Sequence, residues 1–528
     1  MIAGTTNPLA VHAGLKVLQQ GGSAADAALT TSLAQIALST GAAISYAGIL
    51  TAVYYDAASG KTYSLNAGYD TVRSEKDPLS IPTWGQHSGR TALVPGFMAG
   101  VQAMHDRFGK RPFAELFGPA IWIADHGVPF SPTVEEWLRQ SSTFVTRLPE
   151  TRRIFTKENG DLYKAGELFR QPELAETLKN VANQSAAYMY RGAWAHRLAA
   201  AIQREGGKMT LEDLASYEVS WTEPRRISYG DYEVISLGQG SLGSLVTLGS
   251  LKAVEAVGMK ELGHYTSSAE TLYYLTQIFR IEKSLSLMTS EQRGVFLPGI
   301  DTSIEALTTE KTARLVVDHI RQNLKDAELT RGPASAHSAG VLAVDAQGNV
   351  ACILHTLNGV LWGTTGIFVD GVSIPDSAAF QQQTIAAIGG GARLPNTTNP
   401  LIVLKDGKPI LASAAIGSAL QMATVENLIN VLDFGMDPKS AVEQPNTLGP
   451  YLGMVANAPP KPEYEKETFR EGEFPKSVLD QLRDKGQAVK VINDHSQDGY
   501  WIGIQLDPAA RKLKGATTRK LPSLVEGY

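Results

Sequence analysis

The sequence predicts an α+β protein in which sheets are sandwiched by layers of helices. Hairpin patterns, in which two short apolar runs flank a turn, lie toward both ends of the chain, at residues 51–65 and 401–413. Between them, from about residue 96 to residue 282, the apolar residues mostly follow the spacing of helices. Sheets at both ends with helices between them favour this layered architecture.

The elements of the first two thirds follow from local patterns. Residues 7–21 are amphipathic and stop at Gly21-Gly22, which is typical of a helix end. Residues 27–55 carry no charge but are interrupted by polar side chains. They therefore predict a buried helix at 24–38 and a strand at 48–55, not a membrane span. Further helices are predicted at 97–108, 113–125, 173–181, 193–205 and 266–285.

The last third returns to hairpins. A helical region from residue 286 leads to the loop 332–335, which predicts an exposed linker before Ser338. Strands at 401–404 and 410–413 flank the turn Asp406-Gly407, and a helix follows at 418–432.

Composition excludes several classes of function. The chain has 528 residues, 43% hydrophobic and 19% charged, as in an ordinary globular protein. Its net charge of −5 and its scattered lysines and arginines give no basis for binding nucleic acid or a membrane. The single cysteine, Cys352, lies in an apolar run, so we predict a buried structural thiol and no disulfide.

No signal peptide is visible before Thr5. A chain whose signal peptide had been removed would begin in the same way, so cytoplasmic, periplasmic and secreted locations all stay open.

Two features of the sequence could indicate a bound cofactor or metal, but the residues around them do not support either. The segment Gly238-Gln-Gly-Ser-Leu-Gly243 matches the dinucleotide-binding fingerprint and lies between a predicted strand at 232–237 and a helix. That fold also needs a second strand ending in an acidic residue about 20 residues later, and Glu261 is followed by a helix instead. The histidines are too dispersed for a metal signature. We therefore predict no cofactor and no metal.

The strongest functional signal is a predicted hairpin at residues 338–358. Ser338 precedes its first apolar strand, and its second strand leads to His355, Thr356 and Asn358. We therefore expect four small groups that donate or accept protons at one end of a buried hairpin. A purely structural hairpin has no need of such an end.

This segment resembles the start of the small subunit in the γ-glutamyltranspeptidase family of N-terminal-nucleophile (Ntn) hydrolases, precursors that cleave themselves to expose a catalytic Thr. The spacing that places Ser338 at the nucleophile is kept by Asp345, Gly348, Asn349, Thr356, Leu357 and Asn358. Weaker matches cover nearly the whole chain, among them Asn7-Pro8-Leu9-Ala10, Val94-Pro95-Gly96, Gly206-Gly207 and Arg393-Leu-Pro-Asn-Thr-Thr-Asn-Pro400. The resemblance implies an αββα sandwich of two stacked antiparallel sheets flanked by helices.

The resemblance also implies how the chain is processed. Cleavage between His337 and Ser338 would give a large-subunit region, 1–337, and a small-subunit region, 338–528, intertwined in one domain. The expected assembly is a heterodimer of these subunits or a dimer of such heterodimers. The expected substrate is a small amide or peptide-like molecule.

The reaction needs a base, donors and contacts to the substrate. A serine hydroxyl is a weak nucleophile, and cleavage would free an α-amino group at Ser338 with a pKa of about 7.7–8.0 to act as its base. By resemblance, Thr356 hydrogen-bonds the nucleophile, and the backbone N–H groups of Ile416 and Gly417 form the oxyanion hole. The residues that align with substrate-contacting positions are Asn358, Asn396 and Thr397.

The groups that hold a γ-glutamyl substrate in the family are missing here. Gly68 stands where the family has an arginine for the α-carboxylate, and Arg73 is nearby but out of register. Val372 and Pro375 stand where the family has partners for the α-amino group. Losing a charged contact costs about 1.5–3 kcal/mol. The sequence therefore predicts an amidase or acylase with a less zwitterionic acyl group, similar to the family's oxamate-hydrolase or cephalosporin-acylase branches.

Two other functions stay open. The chain could be a conventional γ-glutamyl hydrolase or transpeptidase that acts on glutathione. It could instead be an uncleaved, non-catalytic homologue that binds a ligand, because Ala339 and Gly340 replace the second Thr and the His of the family's triplet and Ile416 replaces a glycine. In that case Ser338 is a plain strand-start serine and the other polar residues belong to ordinary loops.

Overall fold

A computed structural model of the protein describes residues 1–322, 338–450, 466–495 and 497–528. These residues divide into two compact units, each built from several segments. Unit 1 contains residues 1–222, 338–395 and 522–528, and unit 2 contains residues 223–322, 396–450, 466–495 and 497–521. The predicted linker at 332–335 and the predicted cleavage residue His337 lie outside the described residues.

Nearly all pairings between the described strands are antiparallel. In chain order they are β1 (Ile2–Gly4), β2 (Ile49–Asp56), β3 (Lys61–Ala67), β4 (Val128–Pro129), β5 (Leu168–Phe169), β6 (Ser220–Thr222), β7 (Arg225–Tyr229), β8 (Tyr232–Ser236), β9 (Ala339–Val344), β10 (Val350–Thr356), β11 (Phe368–Val369), β12 (Val372–Ser373), β13 (Leu401–Lys405), β14 (Lys408–Gly417), β15 (Glu467–Arg470), β16 (Val489–Ile492), β17 (Gly499–Asp507), β18 (Lys512–Thr517) and β19 (Leu524–Glu526).

The described α-helices are mostly short, and among the described residues none is both long and apolar enough to cross a membrane. In chain order they are α1 (Pro8–Gln19), α2 (Ala24–Leu38), α3 (Phe97–Phe108), α4 (Phe113–Leu116), α5 (Gly118–His126), α6 (Pro132–Val145), α7 (Pro149–Phe155), α8 (Pro172–Gln184), α9 (Ala187–Tyr190), α10 (Ala193–Arg204), α11 (Leu211–Ala215), α12 (Leu242–Val257), α13 (Ala269–Leu287), α14 (Ser290–Phe296), α15 (Glu310–Gln322), α16 (Gln382–Ile388), α17 (Leu420–Leu432), α18 (Pro438–Val442) and α19 (Lys476–Asp484).

Unit 1 is built on an antiparallel sheet whose described strands run in the order β19-β1-β9-β10-β2-β3-β6. Helix α2 packs on β9 and β10, and α3 packs on β2 and β3. Every residue of α2 is buried, since small alanine, serine and threonine side chains allow close packing on all sides. A capping box starts this helix: Ser23 Oγ accepts from the N–H of Asp26, and the Asp26 carboxylate accepts from the N–H of Ser23.

Unit 2 is built on a second antiparallel sheet, with the described strand order β18-β17-β14-β13-β8-β7. Helix α17 packs on β14 and β17, and α12 packs against α13 and α17. Strand β8 is antiparallel to both of its neighbours. A dinucleotide-binding fold needs a parallel sheet at this point. The glycine-rich turn after β8 therefore does not lie in the surroundings that such a fold requires.

Most predicted elements are confirmed. Helices α2 and α3 have the predicted bounds, and the helices predicted at 7–21, 173–181 and 193–205 differ from the observed ones by a few residues. The single helix predicted at 113–125 is instead α4 and α5, because Pro119 has no N–H to continue a helix through this point. The strand predicted at 410–413 is the longer β14.

A buried ion pair in unit 2 yields a test of stability. Arg280 Nε on α13 lies 3.0 Å from a carboxylate oxygen of Glu467 on β15, and both side chains are at most 1% exposed. Removing one partner of such a pair costs about 3–5 kcal/mol, because the other charge stays buried. We predict that Glu467→Gln lowers the free energy of unfolding by this amount in urea denaturation. The control is Glu310→Gln in the exposed pair with Arg314, which should leave stability unchanged. Equal effects of the two variants would contradict the prediction.

Candidate active site

Ser338 lies directly before β9 and is 7% exposed. Strand β9 is paired with β10 so that Ala339 is opposite His355. Opposed residues of an antiparallel pair share a face of the sheet, and neighbours along a strand alternate between faces. The register therefore places Ser338 at the same end of the pair as Thr356, and on the same face of the sheet.

Backbone contacts fix the turn that follows Thr356. Thr356 is buried, and its Oγ1 accepts a hydrogen bond of 2.9 Å from the N–H of Asn358. Asn358 has a φ of +50°, a left-handed conformation that asparagine tolerates better than most residues. The carbonyl of Leu357 accepts from the hydroxyls of Tyr69 (2.9 Å) and Ser377 (2.6 Å). Tyr69 and Ser377 thus hold the segment that carries two predicted site residues, and no sequence motif indicated either of them.

His355 does not join the other polar groups. Its ring is fully buried on the helix side of the sheet, with Nε2 2.9 Å from Gln35 Oε1 of α2 and its centroid 5.4 Å from that of Phe97. Burial lowers the pKa of His355 to about 3, so the ring is neutral. The expectation that His355 lies beside Ser338 is wrong, because it follows Leu354 and precedes Thr356 in a strand whose side chains alternate.

Unit 2 contains the other predicted substrate-contacting residues. Asn396 is buried, and its Oδ1 accepts from the N–H and the hydroxyl of Thr398, at 3.2 and 2.5 Å. Thr397 is half-buried, and its carbonyl accepts from Nε2 of Gln421, near the start of α17. The loop before β13 is therefore anchored to the helix that follows β14.

The end of β14 carries the predicted oxyanion-hole residues. Ile416 is buried and pairs with Tyr500 of β17, while Gly417 pairs with Gly499. Gly417 has a φ of +92°, and a Cβ there would lie 2.2 Å from the carbonyl oxygen of Asp498. Only glycine fits this position, whereas Ile416 shows that its neighbour tolerates a large side chain.

An arginine fills the space beside Gly68 in unit 1. A Cβ at Gly68 would lie 3.1 Å from Cδ of Arg393. The guanidinium of Arg393 lies 4.8 Å from the ring centroid of Tyr217. Its hydrogen-bond acceptors are the carboxylate of Asp70 (2.5 Å) and the carbonyls of Asn66 (2.7 Å) and Glu218 (2.6 Å). Arg73, the other arginine near in sequence, donates to Ser216 at 2.8 Å. Both arginines are thus engaged by the protein itself.

The described residues contain no grouping of three or more histidine, cysteine or acidic side chains that could hold a metal ion. Cys352, predicted to be a buried structural thiol, is buried in β10.

A hydroxyl residue, Ser338, is buried directly before a central strand of an antiparallel sheet, as the resemblance to the Ntn hydrolases predicts. A family model described as Gamma-glutamyltranspeptidase matches residues 10–520. The chain belongs to this family.

Individual relatives agree with this assignment. The Glutathione hydrolase-like YwrD proenzyme of Bacillus subtilis (strain 168) is 26% identical over 534 residues, which cover 97% of this chain and 95% of that protein. The Acylase ACY 1 proenzyme of Pseudomonas sp. (strain SE83) is 24% identical over 472 residues, 84% of this chain and 81% of that protein. The crystal structure of cephalosporin acylase from Bacillus halodurans has a TM-score of 0.84 at 22% identity, covering 100% of this chain and 96% of that one. The predicted fold class is confirmed, and the protein is an Ntn-type amidohydrolase or transpeptidase.

The backbone at Gly417 yields a test of the site. We predict that Gly417→Ala lowers activity by at least about 10-fold, because the clash with Asp498 must move the N–H groups at the end of β14. Gly407→Ala is the matched control, since Gly407 also has a positive φ (+74°) but a Cβ there meets nothing within 4 Å. Steady-state kinetics should show normal kcat for Gly407→Ala. Equal kcat values for the two variants would argue against a role for this backbone.

Proposed function

We propose that the protein is a self-processing amidohydrolase with Ser338 as its nucleophile, acting on an acyl group other than γ-glutamyl. The observation that supports this most is the position of Ser338, which is buried directly before β9, at the end of the strand pair where β10 reaches Thr356. The names of the relatives, which are proenzymes, support a processed enzyme as well.

In the proposed processing step, the hydroxyl of Ser338 attacks the carbonyl carbon of His337. The peptide C–N bond breaks and an ester forms, and the nitrogen of Ser338 takes the hydroxyl proton to become an amine. Water then hydrolyses the ester. The products are residues 1–337, which end in a carboxylate, and residues 338–528, which begin with a free amine.

In the proposed turnover, that amine accepts the proton of the Ser338 hydroxyl as the oxygen attacks the substrate's amide carbon. The tetrahedral oxyanion accepts hydrogen bonds from the N–H groups of Ile416 and Gly417. The amine product leaves with the proton, and water or another amine then takes the acyl group from Ser338. Thr356 donates a hydrogen bond to the nucleophile. The residues proposed to orient the substrate are Asn358, Asn396 and Thr397.

The substrate proposal rests on the surroundings of Gly68. The arginine that could bind a carboxylate there is absent, and Arg393, which fills the space, is neutralised by Asp70 and bonded to two carbonyls. Val372, at an ammonium-binding position of the family, is buried and apolar. A γ-glutamyl group would lose charged contacts at both ends of its amino-acid moiety.

One observation favours the second candidate, a γ-glutamyl hydrolase. Asp376, the residue after Pro375, has a buried carboxyl group. Its Oδ2 accepts from the N–H and hydroxyl of Thr364, and its Oδ1 has no hydrogen-bond partner among the described residues. Oδ1 lies 2.8 Å from where a Cβ on Gly359 would be, next to Asn358. Burial raises the pKa of Asp376, which weakens its attraction for an ammonium group.

Self-processing can be tested on a denaturing gel. We expect purified wild-type protein to give fragments of 337 and 191 residues (528 − 337). Ser338→Ala should stay intact and inactive, because it has no hydroxyl to attack the peptide bond. Ser338→Thr is the control, since it keeps the hydroxyl and should still be cleaved. An intact and inactive wild type would instead support a non-catalytic binding protein.

The substrate class can be tested with four p-nitroanilides of similar acyl groups. The γ-glutamyl compound carries a carboxylate and an ammonium, the glutaryl compound only the carboxylate, the 4-aminobutyryl compound only a terminal ammonium, and the butyryl compound neither. We expect kcat/KM to be at least about 10-fold higher for butyryl than for γ-glutamyl, since unpaired charges must be desolvated. A γ-glutamyl rate that is the highest of the four, and that falls in Asp376→Asn, would establish the second candidate.

A further inference from the structure

We infer that Gln35, Thr5 and His355 form a buried brace that positions Ser338, and that Gln35 is its central positioning residue. The inference rests on the proposed function, in which Ser338 becomes the first residue of a new chain. Chain ends are poorly ordered unless they are tied down. A nucleophile at a chain end therefore needs contacts that hold the residues just after it.

Thr5 holds Gly340, two residues after Ser338, with two hydrogen bonds. The N–H of Thr5 donates to the carbonyl of Gly340 at 3.1 Å, and the N–H of Gly340 donates to Oγ1 of Thr5 at 2.9 Å. Thr5 is fully buried. It extends the ladder between β1 and β9 by one residue, and the side chain takes the place of a backbone acceptor.

Gln35 links the strands on both sides of β9. Its Nε2 donates to the carbonyl of Thr6 at 3.1 Å, and its Oε1 accepts from Nε2 of His355 at 2.9 Å. Thr6 lies two residues past the end of β1, while His355 of β10 pairs with Ala339, the residue after Ser338. The buried amide of Gln35 thus links the segment after β1 to β10, and the start of β9 lies between these two.

The protonation of His355 suits this role. Because Gln35 Oε1 can only accept, the proton of the neutral ring lies on Nε2. Nδ1 is buried without a hydrogen-bond partner among the described residues, so the ring's one strong polar contact is Gln35. The ring of His355 and the amide of Gln35 lie on the helix side of the sheet. The brace reaches the strand through the bonds of Thr5 to Gly340 and through the pairing of His355 with Ala339.

The experiment compares four variants with the full-length wild type. Gln35→Met and Thr5→Val remove the brace contacts at nearly constant volume, and Thr5→Ser keeps the hydroxyl. Thr31→Val is the control, because Thr31 is a buried residue of α2 whose hydroxyl donates to the carbonyl of Ala27 in the same helix, at 2.9 Å. Fragment formation is followed on gels, kcat and KM with the best p-nitroanilide of the panel, and thermal unfolding by calorimetry.

We expect Gln35→Met and Thr5→Val to slow cleavage and to lower kcat by at least about 10-fold with KM within about twofold, as for a misplaced nucleophile. Thr5→Ser should behave like the wild type, and Thr31→Val should lose stability without losing kcat. Should Gln35→Met fail to fold, the Thr5→Val and Thr5→Ser pair decides.

Two outcomes would overturn the inference in distinguishable ways. A cleaved, active wild type with folded Gln35→Met and Thr5→Val variants of normal kcat would refute the brace alone. An uncleaved and inactive wild type would refute the proposed function and the brace with it.

Discussion

The antiparallel register between β9 and β10 determines which groups lie at the candidate reaction centre. Ala339 pairs with His355, and the same register continued by one residue brings Thr356 to the level of Ser338. A slip by one residue would turn Thr356 toward the helices and His355 toward the nucleophile. The turn between the strands prevents such a slip, because the carboxylate of Asp345 closes it. The groups that donate to Asp345 are the N–H groups of Ala24, Gln347 and Asn349 and the amide of Asn349.

The sequence could predict elements whose limits are set locally. Helix α2 begins at a capping box and α3 follows a Val-Pro-Gly turn, and both have the expected bounds. The predicted strand at 410–413 ended too early because Ala414 and Ala415 follow it, and alanine has a low strand propensity. Strands β1 and β19 have only three residues each and exist through pairing with segments hundreds of residues away. A local pattern cannot indicate such pairing.

The same limit applies to the candidate site. The spacing from Ser338 to Thr356 predicted a common strand end. In the structure β9 begins directly after Ser338, and its partner strand β10 ends at Thr356. Strand alternation alone indicates that His355 lies on the opposite face of the sheet from Thr356. The contact of Arg393 with Gly68 joins positions that are far apart in the chain, and no motif indicated it. Gln35 lies in a helix whose sequence indicates only a buried core element. The contacts of its amide with Thr6 and His355 are visible only in the structure.

The proposed catalytic groups and a substrate clamp depend on different parts of the chain. Ser338 depends on its place at a strand start, and the proposed oxyanion donors are backbone N–H groups, so Ile416 can replace a glycine as long as the strand keeps its path. Gly417 cannot be replaced in this way, because its conformation sets that path. A charged clamp depends instead on one side chain, and the glycine at position 68 has no side chain that could form one. Groups that depend on the path of the backbone can therefore keep their role in the reaction, while changes of side chains alter which substrate is bound.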